Sequence, residues 1–559
     1  MSKLQDSEKK KFHLDYETRA NIIRILGFVI LSFCHLIFFF NTKGHLILKA
    51  DVDGEFHFSR IMSLSDIWQS PVNFHYYNHT GQIVNLMYPW ATVYPMYWII
   101  KLTGSIVGGY YTYFLILTFA TLEITYQCLK HMKQKNLPSI LGAVLYAFAI
   151  CRTSDIYCRA DVGEAVSMTI FPIVLLGIYR LFYLDKPRWK TLVVGMTLLV
   201  YTHVLSLIIA SVMVGLFTIL SIVHRRLDIN RFIGLLKATG MSILLGLGFF
   251  VPMLQVMATV KINGPQPYDL YVCALKPIQL WKWSLQNAAT TRDLYGAVFL
   301  VVIIAILLNI KKIKGFFKDT LIGAAFFTFI STTLFPWGIF QKQFGMLQFP
   351  WRFITVATLL LCVTASELMK DYELSHSRKQ SKIALFFLVL MIVVSHWGVM
   401  NDVYKWNGNN NGNDNTVYVN GITKNVSFNG YGDYNPASSN NDDGNISSQL
   451  VCVNQQWVPI KHKISSNTMS FEFNSNEEAM AILPVYSFPG EKIIQNGISQ
   501  APKAAKADGA TQINLVDGQN KIEISYGYSV LARIAWTVSL IAFLVFNGSM
   551  LYKKYKKQD

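Results

Sequence analysis

The chain has 559 residues, 52% of them apolar and only 15% charged, a balance that fits a bilayer-embedded protein and argues against a string of soluble domains. A formal charge of +17 would suit a nucleic-acid binder. Placement excludes that reading: the basic residues form short clusters between apolar runs of about 18 to 25 residues, the pattern left by the positive-inside rule.

At the amino terminus Lys9, Lys10, Lys11, Arg19 and Arg24 precede an apolar run from Ile25 to Phe40 with no small-residue cleavage site, so the segment reads as a retained anchor. A first span, about Arg24 to Thr42, leads outside to residues 43–109, rich in Asp, His, Asn and Tyr. Within it Tyr94 to Leu102 is apolar but too short to cross, and is expected to lie at the outer interface. A second span near Tyr110 to Leu129 ends at the inside cluster Lys130, Lys133 and Lys135. Pro138 to Ile150 runs outward, Cys151 to Glu164 reads as an outer loop, and Ala165 to Tyr183 returns to Lys186, Arg188 and Lys190. Leu192 to Val223 is too long for one span and is broken at Thr202-His203, which predicts a helical hairpin with a tight outer turn ending inside at Arg225, Arg226 and Arg231.

Phe232 to Val260 goes out, Tyr295 to Ile310 returns to Lys311, Lys312, Lys314 and Lys318, and Leu321 to Phe340 goes out again. Phe353 to Met369 comes back to Lys370, Arg378, Lys379 and Lys382. Ile383 to Met400 leaves, and Ile534 to Leu551 closes the chain at Lys553, Lys554, Lys556 and Lys557. About twelve spans with both termini cytoplasmic satisfy every basic cluster. The loop from Lys261 to Asp293 departs from the rule with Lys261, Lys276, Lys282 and Arg292; it is either a solvated loop or a cationic surface for anionic head groups or a phosphate-bearing substrate. Seven widely spaced cysteines give no disulfide framework or metal spacing, and Cys158, Cys273 and Cys452 are expected outside the spans.

Three regions follow: residues 1–400 as a transmembrane domain, 401–527 as an extracytoplasmic β-rich, sandwich-like domain, and 528–559 as a final span with a basic tail. The middle region alternates apolar and polar residues in runs such as Thr468 to Phe473 and Lys521 to Ser525. Asp517-Gly518 predicts a hairpin turn, and Asn407 to Asn415 a low-complexity loop. The fold class is therefore a polytopic α-helical protein of the cell membrane carrying one β-rich domain.

On this topology the ionisable residues outside the inner clusters gather on one face. Asp51, Asp53, Glu55, His57 and Arg60 lie in the first outer loop, and Asp155, Arg159, Asp161 and Glu164 in the second; His203 and Arg352 lie at the same depth. Charges beside hydrocarbon need partners or a purpose. Single carboxylates at helix ends commonly serve only as caps. Asp51-Val52-Asp53-Gly54-Glu55 lacks the further oxygen ligands of a calcium loop, and His57 and His203 have no neighbouring His or Cys for a metal site.

Asp53, Phe56-His57 and Arg60-Ile61 after a first span, followed by Tyr88-Pro89 and Tyr94-Pro95, resemble bacterial GT-C membrane glycosyltransferases. More narrowly, with Arg159 to Glu164 (RADVGE), Thr202-His203, Phe349 to Phe353 (FPWRF), Tyr434-Asn435-Pro436 and Leu483 to Gly490 (LPVYSFPG), the chain resembles the multispan bacterial family labelled "6-pyruvoyl-tetrahydropterin synthase-related". It departs from that family's pattern where Val52 directly precedes Asp53 and a second acid, Asp51, stands one residue further back. The resemblance implies transfer of a sugar from a polyprenyl-phosphate donor to an envelope glycan, teichoic acid or lipid on the outer face of the membrane. It implies Asp53 or Asp51 as general base, Arg159 and Arg352 as phosphate partners, and His57, Arg60, Asp161, Glu164 and His203 as binding or orienting groups. Two carboxylates and a phosphate could also hold Mg²⁺ or Mn²⁺. A transporter or lipid flippase, and a non-catalytic envelope scaffold, are the competing readings.

Overall fold

The structure, a computed structural model, describes residues 16–39, 46–47, 53–409, 416–417, 432–441 and 444–555. After α1 (Tyr16–Leu36), the segment leading to the next long helix holds the short strand β1 (Leu46–Ile47), α2 (Gly54–Met62), α3 (Val84–Met87) and α4 (Tyr94–Thr103). α4 carries Pro95 in its first turn and stops at Gly104, whose φ of +65° a residue without Cβ adopts freely. Ten residues long, with Trp98 and Leu102 exposed, it is too short to cross, as its sequence predicts.

The helical body continues with α5 (Ile106–His131), α6 (Asn136–Ala147), α7 (Ile150–Ser154), α8 (Val162–Phe182), α9 (Lys190–Val200), α10 (Val204–Val223) and α11 (Ile229–Thr259). Then come the short α12 (Leu270–Cys273) and α13 (Pro277–Gln286), followed by α14 (Ala297–Leu308), α15 (Phe316–Ile330), α16 (Trp337–Phe344), α17 (Ile354–Ser375) and α18 (Arg378–Asn409). Among the described residues, nine helical segments are long and apolar enough to cross a membrane. The other three expected spans form α9, α14 and α15, of 11, 12 and 15 residues, shorter than the ~20 residues of an upright crossing. The segments 136–159, 162–182 and 350–375 are buried over 89%, 89% and 83% of their apolar windows, against 28–33% for α1, α10, α11, α18 and the last helix. An inner layer buried all round therefore sits inside a ring of helices apolar on their outward faces.

One expectation fails here. Residues 151–164 are not an exposed loop: they form α7, a π-helical turn (Asp155–Arg159), the left-handed Ala160 (φ +55°) and the start of α8, all buried. Their charges broke the apolar pattern and made them read as an outer loop, but those charges pair with one another inside the protein. Cys158, expected outside, is buried for the same reason.

α18 runs to Asn409, past the expected boundary at residue 401, and most of the 407–415 loop lies outside the described residues. β2 (Thr416–Val417) pairs antiparallel with β1. The strands β3 (Leu450–Val453), β4 (Gln456–Pro459), β5 (His462–Ile464), β6 (Thr468–Ser475), β7 (Ala479–Tyr486), β8 (Glu491–Gln495), β9 (Ile498–Gln500), β10 (Ala510–Leu515) and β11 (Gly518–Tyr526) follow, before α19 (Val530–Tyr555). They form two antiparallel sheets, ordered β10-β7-β3-β4 and β5-β6-β11-β8-β9. Alternate residues of both sheets, including Phe471, Ile493, Ile522 and Ile524 from one and Val451, Leu483, Val485 and Ile513 from the other, fill a single core. The turn at Asp517-Gly518 is not a hairpin: β10 pairs with β7 and β11 with β6 and β8, so the turn switches sheets. Gly518 does take the positive φ, +87°, that the dipeptide suggests.

The sandwich is fastened to the segment between α1 and α5. Val72, Phe74, Ile83 and Leu86 enter its core. The Phe74 N–H donates to Ser466 O and the Tyr486 N–H to Thr80 O, each at 2.9 Å. Gly81, at φ +77°, lies where a Cβ would stand 3.0 Å from Val485. These ties hold α2 and the site it opens.

Candidate functional site

On α2, Asp53, Phe56, His57 and Arg60 recur at intervals of three and four residues and so share one helix face. Asp53 is the N-cap, but its carboxylate makes no capping bond and instead accepts from Arg159. The Asp53 N–H donates to Arg159 O at 3.1 Å, and the Asp53 carbonyl accepts from the His57 N–H at 3.0 Å.

Across from it, the wide π turn puts Asp155 and Arg159 side by side, and the left-handed Ala160 redirects the chain so that Asp161 caps α8, accepting from the Glu164 N–H at 3.0 Å. Arg159 is 3% exposed and engages four carboxylates. Nη1 donates to Asp155 at 3.3 Å and Glu164 at 3.1 Å; Nη2 donates to Asp161 at 2.6 Å and Asp53 at 3.5 Å. Its guanidinium also lies 4.8 Å from the Trp351 ring centre. The Nη groups expected on a phosphate are thus committed to carboxylates. Arg352, on the turn Pro350–Phe353, contacts Glu164 through Nε and donates through Nη1 to Leu347 O at 2.8 Å and to Gln348 Oε1 at 3.3 Å.

A ring cluster closes the other side. Tyr88 stacks on His203 at 5.4 Å, meets His57 edge-on at 5.6 Å and carries the Arg60 guanidinium 4.0 Å above its ring. Arg60 is wholly buried and donates to Pro89 O at 2.9 Å, while His203 Nδ1 lies 2.9 Å from Ser206 Oγ. Gly163 lets α8 approach these rings: a Cβ there would stand 2.2 Å from the Tyr88 hydroxyl and 3.2 Å from the His203 ring.

Burial pushes the Asp53 carboxyl up to about 6, with Arg159 pulling the other way. Burial likewise pushes His57 and His203 down to about 3, so both imidazoles are neutral at ordinary pH. Burial alone would raise Asp161, but Arg159 and the nearby His203 and His57 hold it below the usual carboxylate range. Thus every described residue expected at the site is brought together: Asp53, His57, Arg60, Arg159, Asp161, Glu164, His203 and Arg352. Asp51 lies outside the described residues.

Asp293 was not anticipated. It follows Arg292 in a loop whose basic residues mask it, and a bond from the Thr290 N–H to Ser154 Oγ at 3.3 Å ties that loop to α7. Fully buried, Asp293 joins Asp155 and Glu164 in a trio whose ligand oxygens lie within 4.8 Å of one another. Asp155 Oδ2 and both Asp293 oxygens find no hydrogen-bond partner among the described residues. Five carboxylates, Asp53, Asp155, Asp161, Glu164 and Asp293, therefore surround two guanidiniums, Arg159 and Arg352. Hard oxygen donors in excess of cations suit Mg²⁺ or Mn²⁺, and among the described residues this trio has the donor set to hold such an ion.

No protein-family model matches the chain, and no curated protein matches it. Solved structures that resemble it include the arabinofuranosyltransferase AftD from Mycobacteria, with TM-score 0.42, 12% identity and coverage of 68% of this chain and 27% of that one. Another is ArnT from Cupriavidus metallidurans bound to undecaprenyl phosphate, with TM-score 0.31, 11% identity and coverage of 69% and 73%. A third is the oligosaccharyltransferase AglB from Archaeoglobus fulgidus, in complex with an inhibitory peptide and a dolichol-phosphate, with TM-score 0.32, 11% identity and coverage of 69% and 55%. The chain spans about a quarter of AftD. With every TM-score below 0.5, these likenesses decide neither fold nor activity, and the label "6-pyruvoyl-tetrahydropterin synthase-related" finds no support among them.

Proposed function

We propose that the chain is a membrane glycosyltransferase that moves a sugar from a polyprenyl-phosphate donor to an acceptor hydroxyl at the outer face of the membrane, with Asp53 as general base. The observation that carries this reading is the contrast among the clustered acids. Asp53 keeps 33% of its side-chain surface, whereas Asp155, Asp161 and Glu164 keep 0%, 5% and 4%. An accessible carboxylate with its pKa raised to about 6 is suited to accept a proton near neutral pH.

In the proposed step the acceptor oxygen bonds to the anomeric carbon and gives its proton to Asp53, while the bond from that carbon to the phosphate oxygen breaks and its electron pair leaves with the polyprenyl phosphate. Arg352 and the neutral His57 and His203 serve the departing phosphate as hydrogen-bond donors. Arg159 orients Asp53 and holds the other acids. Asp155, Glu164 and Asp293 would hold a divalent cation, whose charge would offset the acids and stabilise the leaving phosphate. On this reading the basic clusters lie in the cytoplasm with both termini and the sandwich lies outside; a glycan, teichoic acid or lipid is the acceptor class in keeping with that side.

The test is purified protein given polyprenyl-phosphate sugars with and without cell-envelope acceptors, read as release of free polyprenyl phosphate. Release that is lost in Asp53→Asn supports the reading. Lipid movement between leaflets with no release would replace it with the flippase reading.

A further inference from the structure

The segment Gly432–Asn441 leads into the sandwich and carries Tyr434 at φ +67°, a left-handed conformation that a tyrosine adopts only under constraint. The constraint is visible. The Tyr434 N–H donates to Asn263 O and the Asn263 N–H to Asn435 O, both at 2.8 Å, and the Ala437 N–H donates to Lys261 O at 2.7 Å. Ile262 and Pro436 form an antiparallel bridge, and Gly509 of the sandwich backs Pro436 so closely that a Cβ would stand 2.7 Å from it. Both domains thus clamp the backbone of one residue and fix where its ring stands.

That place is beside the site. The Tyr434 ring centre is 6.4 Å from Phe56, Phe56 is 5.8 Å from Tyr88, and Tyr88 stacks on His203. Tyr434, Phe56 and Tyr88 are each only half-buried. The wall of rings runs from His203, at the start of α10 and close to Arg352, through Tyr88 and Phe56 on α2, three residues from Asp53, to Tyr434 at the entry to the sandwich. A phosphate at Arg352 and His203 would leave the attached sugar alongside Phe56 and Tyr434. A sugar presents an apolar C–H face flanked by hydroxyls, which suits tyrosine's combination of flat ring and polar tip.

Building on the glycosyltransferase reading, we propose that Tyr434 is a substrate-positioning residue, contributed by the β-rich domain, that packs with Phe56 against the sugar ring of the lipid-phosphate donor. The sandwich then completes the donor pocket as well as covering it.

The test measures binding, so it does not depend on turnover. Competition assays in detergent compare undecaprenyl-phosphate glucose and undecaprenyl-phosphate mannose with sugarless undecaprenyl phosphate, for wild type, Tyr434→Phe, Tyr434→Ala and Tyr434→Gly. The glycine variant relieves the backbone constraint, so a folded protein without the ring is available even if alanine misfolds. Wild type should prefer the sugar-bearing lipids; Tyr434→Ala and Tyr434→Gly should lose about tenfold of that preference, and Tyr434→Phe should keep most of it. If wild type shows the preference and the ringless variants retain it, while only their melting temperatures move, the residue is structural and the proposal is overturned with the glycosyltransferase reading intact. If wild type itself shows no preference for either sugar, the parent reading fails and takes this inference with it.

Discussion

Asp53 and Arg159, 106 residues apart in the chain, hold each other twice: the Asp53 N–H donates to the Arg159 carbonyl at 3.1 Å, and Arg159 Nη2 reaches the Asp53 carboxylate at 3.5 Å. The backbone bond fixes the start of α2 against the π turn, and the side-chain bond aims the acid. Two segments that would otherwise move independently become one frame for the site.

The pH dependence follows from Asp53. Its raised pKa, about 6, means the base is lost as pH falls, so kcat/KM should drop about tenfold per unit below that value. Arg159, Asp161, Arg352 and Glu164 are the charged groups that act on it. Stability moves the other way. The folded protein keeps this proton up to about pH 6 and the unfolded chain releases it near 3.8, so raising pH through that window destabilises the fold. Asp53→Asn should remove both effects and cost about 10² to 10⁴ in rate. An active Asp53→Asn beside an inactive Asp51→Asn would move the base to Asp51.

Arg159→Ala should lower stability by about 3–5 kcal/mol, because it strands buried carboxylates without their partner. Arg159→Lys keeps the charge but cannot span oxygens on four residues, so it should lie between wild type and alanine. Melting temperature and activity per folded molecule are measured on the same preparations. Unchanged specific activity in Arg159→Ala would show that Asp53 does not need this partner for its orientation.

Gly163→Ala places a methyl group 2.2 Å from the Tyr88 hydroxyl, so Tyr88 and the His203 ring stacked on it must shift. Overpacking of this kind costs about 1–3 kcal/mol. Activity should fall with it, and Tyr88→Phe in the same chain, by removing the clashing oxygen, should recover stability. Failure of the second substitution to help would place the strain elsewhere.

Divalent cation binding at Asp155, Glu164 and Asp293 should raise the melting temperature on titration with Mn²⁺, in the absence of any substrate. Asp293→Asn should require a higher Mn²⁺ concentration for the same shift, and chelation should lower turnover. A melting curve indifferent to Mn²⁺ in wild type would leave the carboxylates to share protons.

The assigned orientation predicts that a cysteine at Lys506, exposed on the sandwich, reacts with an impermeant thiol reagent in intact cells, while one at Lys312 does so only after the cells are opened. Labelling of both in intact cells would invalidate the outside placement of the site.

The apolar runs and their basic flanks by themselves determined where the long helices lie, that 94–102 does not cross, and where the strands around 468–473 and 521–525 run. These are consequences of how local stretches partition between water and hydrocarbon or alternate along a sheet, so each is written within about twenty residues. The residues of the candidate site were legible by type and order along the chain. Their partners were not. That Arg159 binds Asp53, Asp155, Asp161 and Glu164, that Asp293 completes a trio with Asp155 and Glu164, that residues 151–164 turn inward, and that the Asp517-Gly518 turn changes sheets were decided by tertiary packing alone. A charged residue looks the same in sequence whether water or a buried opposite charge solvates it, and only the approach of distant segments supplies the second.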